Sequence, residues 1–118
     1  MATVQLTTSR LALRVYIEAS DFATAFALAS DLTARLMVIA PVRECRVYPY
    51  WKFADHFGLW LDIAPKDDKA FDAILALIAP SWEDSGPGPD RWAVWNRATH
   101  GGDPLMPAIT WASVEPCG

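Results

Sequence analysis

Residue types that build enzyme and metal sites are scarce in this 118-residue sequence. There are two histidines, His56 and His100, and two cysteines, Cys45 and Cys117, with no CxxC motif and no second ligand at metal spacing. The Gly86-Pro-Gly-Pro segment lacks the lysine and the serine or threonine of a phosphate-binding loop. The sequence therefore predicts no catalytic site, no metal site and no cofactor, and we expect that the protein is not an enzyme.

Long apolar runs and basic clusters are also missing. No stretch approaches the roughly 18 apolar residues of a membrane span, and residues 1–10 have no apolar core of a signal peptide. The net charge is −4, and Glu44 interrupts the basic residues Arg43 and Arg46, which disfavours binding to nucleic acid. We expect a soluble, cytoplasmic protein that binds neither nucleic acid nor membranes and keeps both cysteines reduced.

The composition that remains is that of one globular domain over residues 1–118. Hydrophobic residues make up 53% and charged residues 20%, which is too apolar for a disordered chain. Six tryptophans are many for this length. Tryptophan is common both in cores and at protein interfaces, so its abundance fits a binding protein but does not require one.

Hydrophobic periodicity predicts five strands and two helices. Alternation predicts strands at residues 11–18, 42–53, 57–64, 91–96 and 108–115. A helix is expected from an N-cap at Ser20 to a stop at Pro41, with one apolar stripe: Phe22, Ala25, Phe26, Ala29, Leu32, Leu36 and Ile39. A second helix is expected between Pro65 and Pro80, with Phe71, Ile74, Leu75 and Ile78 as its stripe.

The order of these elements is βαββαβ followed by one more C-terminal strand. This order favours an α+β, two-layer sandwich with a ferredoxin-like antiparallel sheet and both helices on one face. Pro49 cannot donate to a strand ladder, so it predicts either an edge position or a bulge in the strand at residues 42–53. A homodimer that pairs this edge is conceivable, but the proline disfavours it.

The sheet face opposite the helices is the candidate interaction surface. Alternation assigns to it Arg14, Tyr16, Glu18, Glu44, Arg46, Tyr48, Tyr50, Lys52, His56, Trp60 and Asp62. We predict that a protein partner is bound by this face together with the loop at residues 81–90. The predicted partner-binding residues are Tyr16, Arg46, Tyr48, Tyr50, Trp60, Asp62, Trp82 and Asp84. The same pattern would also suit an ordinary solvated sheet face, in which aromatic and charged cross-strand pairs are common.

Three segments resemble small immunity-type proteins of bacterial toxin systems: residues 48–53 (YPYWKF), 91–96 (RWAVWN) and 107–115 (PAITWASVE). The resemblance implies a cytoplasmic protein that neutralises a cognate toxin by covering its active site or a required surface. The partner implied is therefore another protein, such as a toxin domain. The family has no invariant functional residues that could be assigned to positions of this chain.

Two other functions remain open. A dimeric ferredoxin-like domain that senses a small molecule would have the same pattern of elements. A small enzyme would need a titratable pair in a pocket, and His56 with Asp62 is the one available on this face. Six residues along a strand separate them by about 20 Å, which is too far for direct contact.

Overall fold

The computed structural model describes residues 10–117. The first nine residues, in which the sequence predicts no signal peptide, and Gly118 lie outside the described residues. The elements are, in chain order, β1 (Leu11–Glu18), α1 (Phe22–Met37), β2 (Val42–Pro49), β3 (His56–Ile63), α2 (Lys69–Ile78), β4 (Glu83–Asp84), β5 (Ala93–Asn96), α3 (Arg97–His100) and β6 (Ile109–Pro116).

The six strands form one antiparallel sheet in the order β2-β3-β1-β6-β5-β4. This confirms the α+β class and the edge position of β2. In the predicted ferredoxin-like order, the strand at residues 91–96 would lie beside β1. The structure differs, because β6 pairs along β1 from Leu11 opposite Pro116 to Ile17 opposite Ile109. The four-residue β5 is too short to replace that ladder, and it lies outside β6.

Helix α1 begins one residue later than the sequence suggests. Asp21, and not Ser20, is the N-cap, since its backbone is extended and its Oδ1 accepts a hydrogen bond from the Thr24 amide at 2.8 Å. Hydrogen bonding from Thr24 lowers the pKa of the Asp21 carboxyl. Aspartate is as good an N-cap as serine, so sequence alone does not choose between two adjacent candidates.

The predicted apolar stripe of α1 is buried only in part. Ala25, Ala29, Leu32 and Leu36 are buried, whereas Phe22 and Phe26 are exposed. The two exposed rings stack on each other at 5.9 Å, and Phe22 meets the edge of Phe57 at 4.8 Å. They lie at the rim of the core, where Phe22 contacts the buried ring of Phe57.

Helix α2 buries the predicted stripe of Phe71, Ile74, Leu75 and Ile78. Its C-terminal end is closed by Trp82, whose Nε1 donates to the carbonyls of Leu75 and Ala79 at 3.0 and 2.9 Å. Within residues 10–117, no helix is long and apolar enough to cross a membrane.

Two regions predicted as irregular loops contain short elements. In residues 81–90, Glu83 and Asp84 form β4 by pairing with Val94 and Ala93. In residues 97–107, α3 begins because the Asn96 side chain accepts a hydrogen bond from the Ala98 amide at 2.9 Å. Both elements are too short to produce a periodic sequence signal.

One hydrophobic cluster joins α1 and α2 to the sheet. Its largest fully buried side chain is Trp95, whose Nε1 donates to the Gly101 carbonyl at 2.9 Å. Trp92, three residues earlier, is exposed. One tryptophan of this segment is therefore in the core, and the other is in solvent.

The N-cap assignment makes a prediction for stability. Asp21→Ala should lower the free energy of unfolding, whereas Ser20→Ala should leave it nearly unchanged. The folded-state pKa of Asp21 is depressed, so its contribution is complete above the unfolded pKa of about 3.9 and fades as pH falls through the folded value. Urea unfolding at pH 7 and at pH 2–3 measures both effects.

Asp21→Asn serves as the control, because asparagine caps equally well but does not titrate. A larger loss for Ser20→Ala than for Asp21→Ala would show that the N-cap has been assigned to the wrong residue.

Candidate functional site

The sheet has one face that the large helical side chains do not cover. The buried leucines and isoleucines of α1 and α2 all belong to the hydrophobic cluster. The strand residues in this cluster all lie on the same face of the sheet. Helix α3 has no buried residue. We call the opposite register face the open face; it consists of Ala12, Arg14, Tyr16, Glu18, Glu44, Arg46, Tyr48, His56, Gly58, Trp60, Asp62, Val94, Asn96, Trp111, Ser113 and Glu115.

An aromatic row crosses four adjacent strands of the open face. The register places Tyr48, Gly58, Tyr16 and Trp111 opposite one another on β2, β3, β1 and β6. The Tyr16 ring lies 5.0 Å from Trp111 and stacks at 4.3 Å on Tyr50, which follows β2. Tyr16, Tyr48 and Tyr50 thus lie together, as the sequence predicts, and Trp111 extends the row.

Gly58 makes room for this row. A Cβ at this position would lie 2.3 Å from ring atoms of Tyr48, so the ring can cross β3 only because residue 58 has no side chain. Burial raises the pKa of the Tyr48 phenol, and the neighbouring Tyr16 acts in the same direction while Arg14 opposes it. Tyr48 is therefore a neutral phenol at physiological pH.

A second row contains arginine and tryptophan. The register places Arg46, Trp60 and Arg14 opposite one another, and the Arg46 guanidinium lies 5.1 Å from the Trp60 ring centroid. Arg14 pairs with Glu115 at 2.5 Å, and Arg46 pairs with Glu44 on its own strand. A shallow depression of about 450 Å³ lies among these side chains and Tyr48.

Asp62, a predicted partner-binding residue, lies on the open face but is only 3% exposed. Arg10 binds both of its carboxylate oxygens, with Nε to Oδ1 at 3.0 Å. The carboxylate is therefore occupied by Arg10 and does not offer a free negative charge to a partner.

The turn between β2 and β3 extends the aromatic surface. Trp51 is 85% exposed, and the Phe53 ring lies 5.8 Å from Tyr50 and 5.1 Å from His56. Lys52 was expected on the sheet face, but it lies in the turn with its ammonium 5.8 Å from the Trp51 ring. Strand β2 ends at Pro49, which removes these residues from the alternation used to assign faces.

Trp82 and Asp84 do not join the open face. Asp84 pairs with Ala93, a core residue, so β4 directs it to the helix side at the far edge of the sheet. There its Oδ1 accepts from Arg91 Nε at 3.0 Å, and Arg91 also binds Asp72 and stacks on Phe71. The hydrogen bond between Asp84 and Arg91 lowers the pKa of Asp84 and raises that of Arg91.

These positions divide the predicted site into two groups. Tyr16, Arg46, Tyr48, Trp60 and Asp62 share the open face, with Tyr50 adjoining it, whereas Trp82 and Asp84 stabilise the helix side. The sequence pattern did not assign Trp51, Phe53 and Trp111 to the surface. For Trp51 and Phe53, the signal is the aromatic segment YPYWKF, which predicts a continuing strand at positions where the structure has a turn.

The open face offers aromatic stacking, guanidinium groups and hydroxyls, but no assembled acid–base or nucleophilic group. Within residues 10–117, no three histidine, cysteine or carboxylate side chains come together to hold a metal ion. Cys45 is half-buried on the helix side of β2, where burial raises the pKa of its thiol and keeps it protonated.

Comparison with known proteins gives no relative: no family model matches the chain, and neither a curated protein nor a solved structure matches it.

The contact between Gly58 and Tyr48 predicts a strong coupling. In the Tyr48→Ala background, Gly58→Ala should be neutral or stabilising by about 0.5 kcal/mol, because alanine restricts the unfolded chain more than glycine. In the wild type the same change must displace the Tyr48 ring. A double-mutant cycle by urea unfolding should give a coupling of about 1–2 kcal/mol, and additive effects would contradict the close approach.

The buried carboxylate of Asp62 makes a second prediction. Arg10→Ala leaves Asp62 without its partner and should lower the melting temperature clearly. Arg14→Ala removes an ion pair whose two side chains are both exposed, and it should have little effect. Thermal unfolding of the two variants checks this contrast, and equal losses would show that Asp62 does not depend on Arg10.

Proposed function

We propose that this chain is a protein-binding module that neutralises a cognate bacterial toxin by covering it, as the immunity-type proteins that it resembles do. The observation that supports the proposal is the open face, on which aromatic rings and guanidinium groups adjoin across neighbouring strands. Tyrosine, tryptophan and arginine are the residues that most often dominate the binding energy of protein interfaces.

The charge distribution supports a protein partner more than a polyanion. The arginines on and beside the open face already bind carboxylates: Arg14 binds Glu115 and Arg46 binds Glu44 on the face, and Arg10, just before β1, binds Asp62. The face is therefore a mosaic of both signs, and the chain as a whole has a net charge of −4. A basic toxin domain would be attracted at long range and held at short range by the aromatic row.

We also infer that the sheet is an elaborated ferredoxin-like one. If β6 is taken as the fourth strand, the central order β2-β3-β1-β6 follows the split β-α-β pattern, and β4 and β5 form an added hairpin at the edge. The hydrophobic cluster that contains residues of both α1 and α2 supports two helices on one face. This arrangement leaves the opposite face available.

A cavity supports the second candidate, a small-molecule sensor. It measures about 360 Å³ and lies between the start of α2 and residues 87–91. Its walls include Leu11, Phe71, Pro87, Pro89 and Arg91. A ligand that fills this cavity would raise the melting temperature of the isolated chain, with no protein partner present.

The test is affinity capture from the source cells, with wild type compared with a Tyr48→Ala/Trp60→Ala double variant. The wild type should retain a stoichiometric partner, and the double variant should weaken binding by about 2 kcal/mol or more, roughly thirtyfold in Kd. The captured protein should stop bacterial growth when expressed alone, and co-expression of the wild type should restore growth.

Trp82→Ala is the matched control, because it removes an indole on the helix side of the sheet. At a temperature at which this variant is folded, it should bind the partner as the wild type does. Equal losses of binding for the two variants, or parallel losses of binding and melting temperature, would count against the open face. A non-toxic partner would reject the immunity function while leaving a binding module.

A further inference from the structure

The outer edge of β2 is a long strand edge without a neighbour among the described residues. The Tyr50 amide donates to the His56 carbonyl, and bonded pairs alternate with non-bonded pairs in an antiparallel ladder. Residues 44, 46 and 48 therefore bond to β3, whereas Cys45 and Val47 direct their amides and carbonyls outward. The opposite edge of the sheet, β4, has only two residues, so β2 is the edge suited to pairing.

The charges along β2 are complementary to those of a second, antiparallel copy of the same strand. Glu44 and Arg46 both lie on the open face, are exposed and flank Cys45. In a two-fold antiparallel pairing centred on Cys45, Glu44 of each copy lies opposite Arg46 of the other. Pairings centred on Glu44 or on Arg46 would instead place like charges opposite each other. One register is therefore favoured over its neighbours.

The prolines mark the ends of this ladder. In the register centred on Cys45, Pro49 of one copy lies opposite Pro41 of the other, and neither residue has an amide to donate. The sequence indicated that Pro49 disfavours edge pairing. In this register Pro49 lies beyond the last pair, Tyr48 opposite Val42, so it limits the length of the ladder and does not interrupt its centre. The register of β2 shifts between Val42 and Glu44, so the regular part of the ladder is the centre, residues 44–46.

An apolar strip lies along the same edge on the helix side. Thr33 of α1 contacts Cys45, and the Val42 amide lies 3.1 Å from Met37 Sδ, so this flank of α1 borders β2. Phe26 lies seven residues before Thr33, on the same flank of the helix. Phe26 is 53% and Met37 52% exposed. Two copies paired through β2 would bring these side chains toward each other and bury them.

We propose that two copies of this chain dimerise by pairing their β2 edges antiparallel, centred on Cys45, to form one continuous sheet from two six-stranded ones. The two-fold axis is perpendicular to the sheet, so both open faces lie on the same side. The dimer then has two aromatic rows on one continuous surface. This inference rests on the edge of β2 and does not depend on the proposed function.

Charge reversal tests the register. The wild type should have the mass of a dimer by light scattering coupled to size exclusion at about 100 µM. Glu44→Arg places arginine at both of the facing positions 44 and 46, and Arg46→Glu places glutamate at both, so each variant alone should be monomeric. An equimolar mixture should form a heterodimer, and the double exchange Glu44→Arg/Arg46→Glu should restore the homodimer.

Glu83→Arg is the matched control, because it reverses an exposed charge on the other edge strand and should leave the dimer intact. A monomeric wild type at about 100 µM would overturn the proposal without reference to any variant. Single variants that stay dimeric, or a mixture of folded single variants that stays monomeric, would overturn the register.

Discussion

The pairing of β1 with β3 on one side and β6 on the other holds the molecule together. Leu13, Val15 and Ile17 of β1 are almost completely buried against the helices, and every residue of the strand has a partner on β3. The remaining strands are attached outward from this centre. Burial of apolar surface on one face of β1 therefore fixes which residues lie on the other face, since side chains alternate along a strand.

The open face follows from that constraint. Tyr16 is directed away from the helices because Val15 and Ile17 are directed into them, and the register then places Gly58 and Trp111 on either side of it. A glycine beside two tyrosines lets one ring cover the backbone of the central strands. The core and the open face are thus two consequences of one register.

The sequence predicted the features that depend on periodicity. It did not predict the strand order or the roles of residues that are determined by a single contact. The alternation in residues 11–18 and 57–64 and the stripe of α2 predicted the buried side chains of β1, β3 and α2 and the open-face residues of the two strands. Either β5 or β6 could pair with the free side of β1, and periodicity within each strand does not show which of them does. The role of Trp82 depends on two carbonyls at the end of α2, and that of Asp62 on Arg10, 52 residues earlier.

The central claim is that a protein partner covers the open face, and hydroxyl-radical footprinting of the chain, free and in complex with the captured protein, tests it most directly. The account predicts that Tyr16, Tyr48 and Trp60 lose reactivity in the complex while Trp82 keeps it. Protection confined to Trp82 and the helices, with the three open-face rings as reactive as in the free chain, would contradict it.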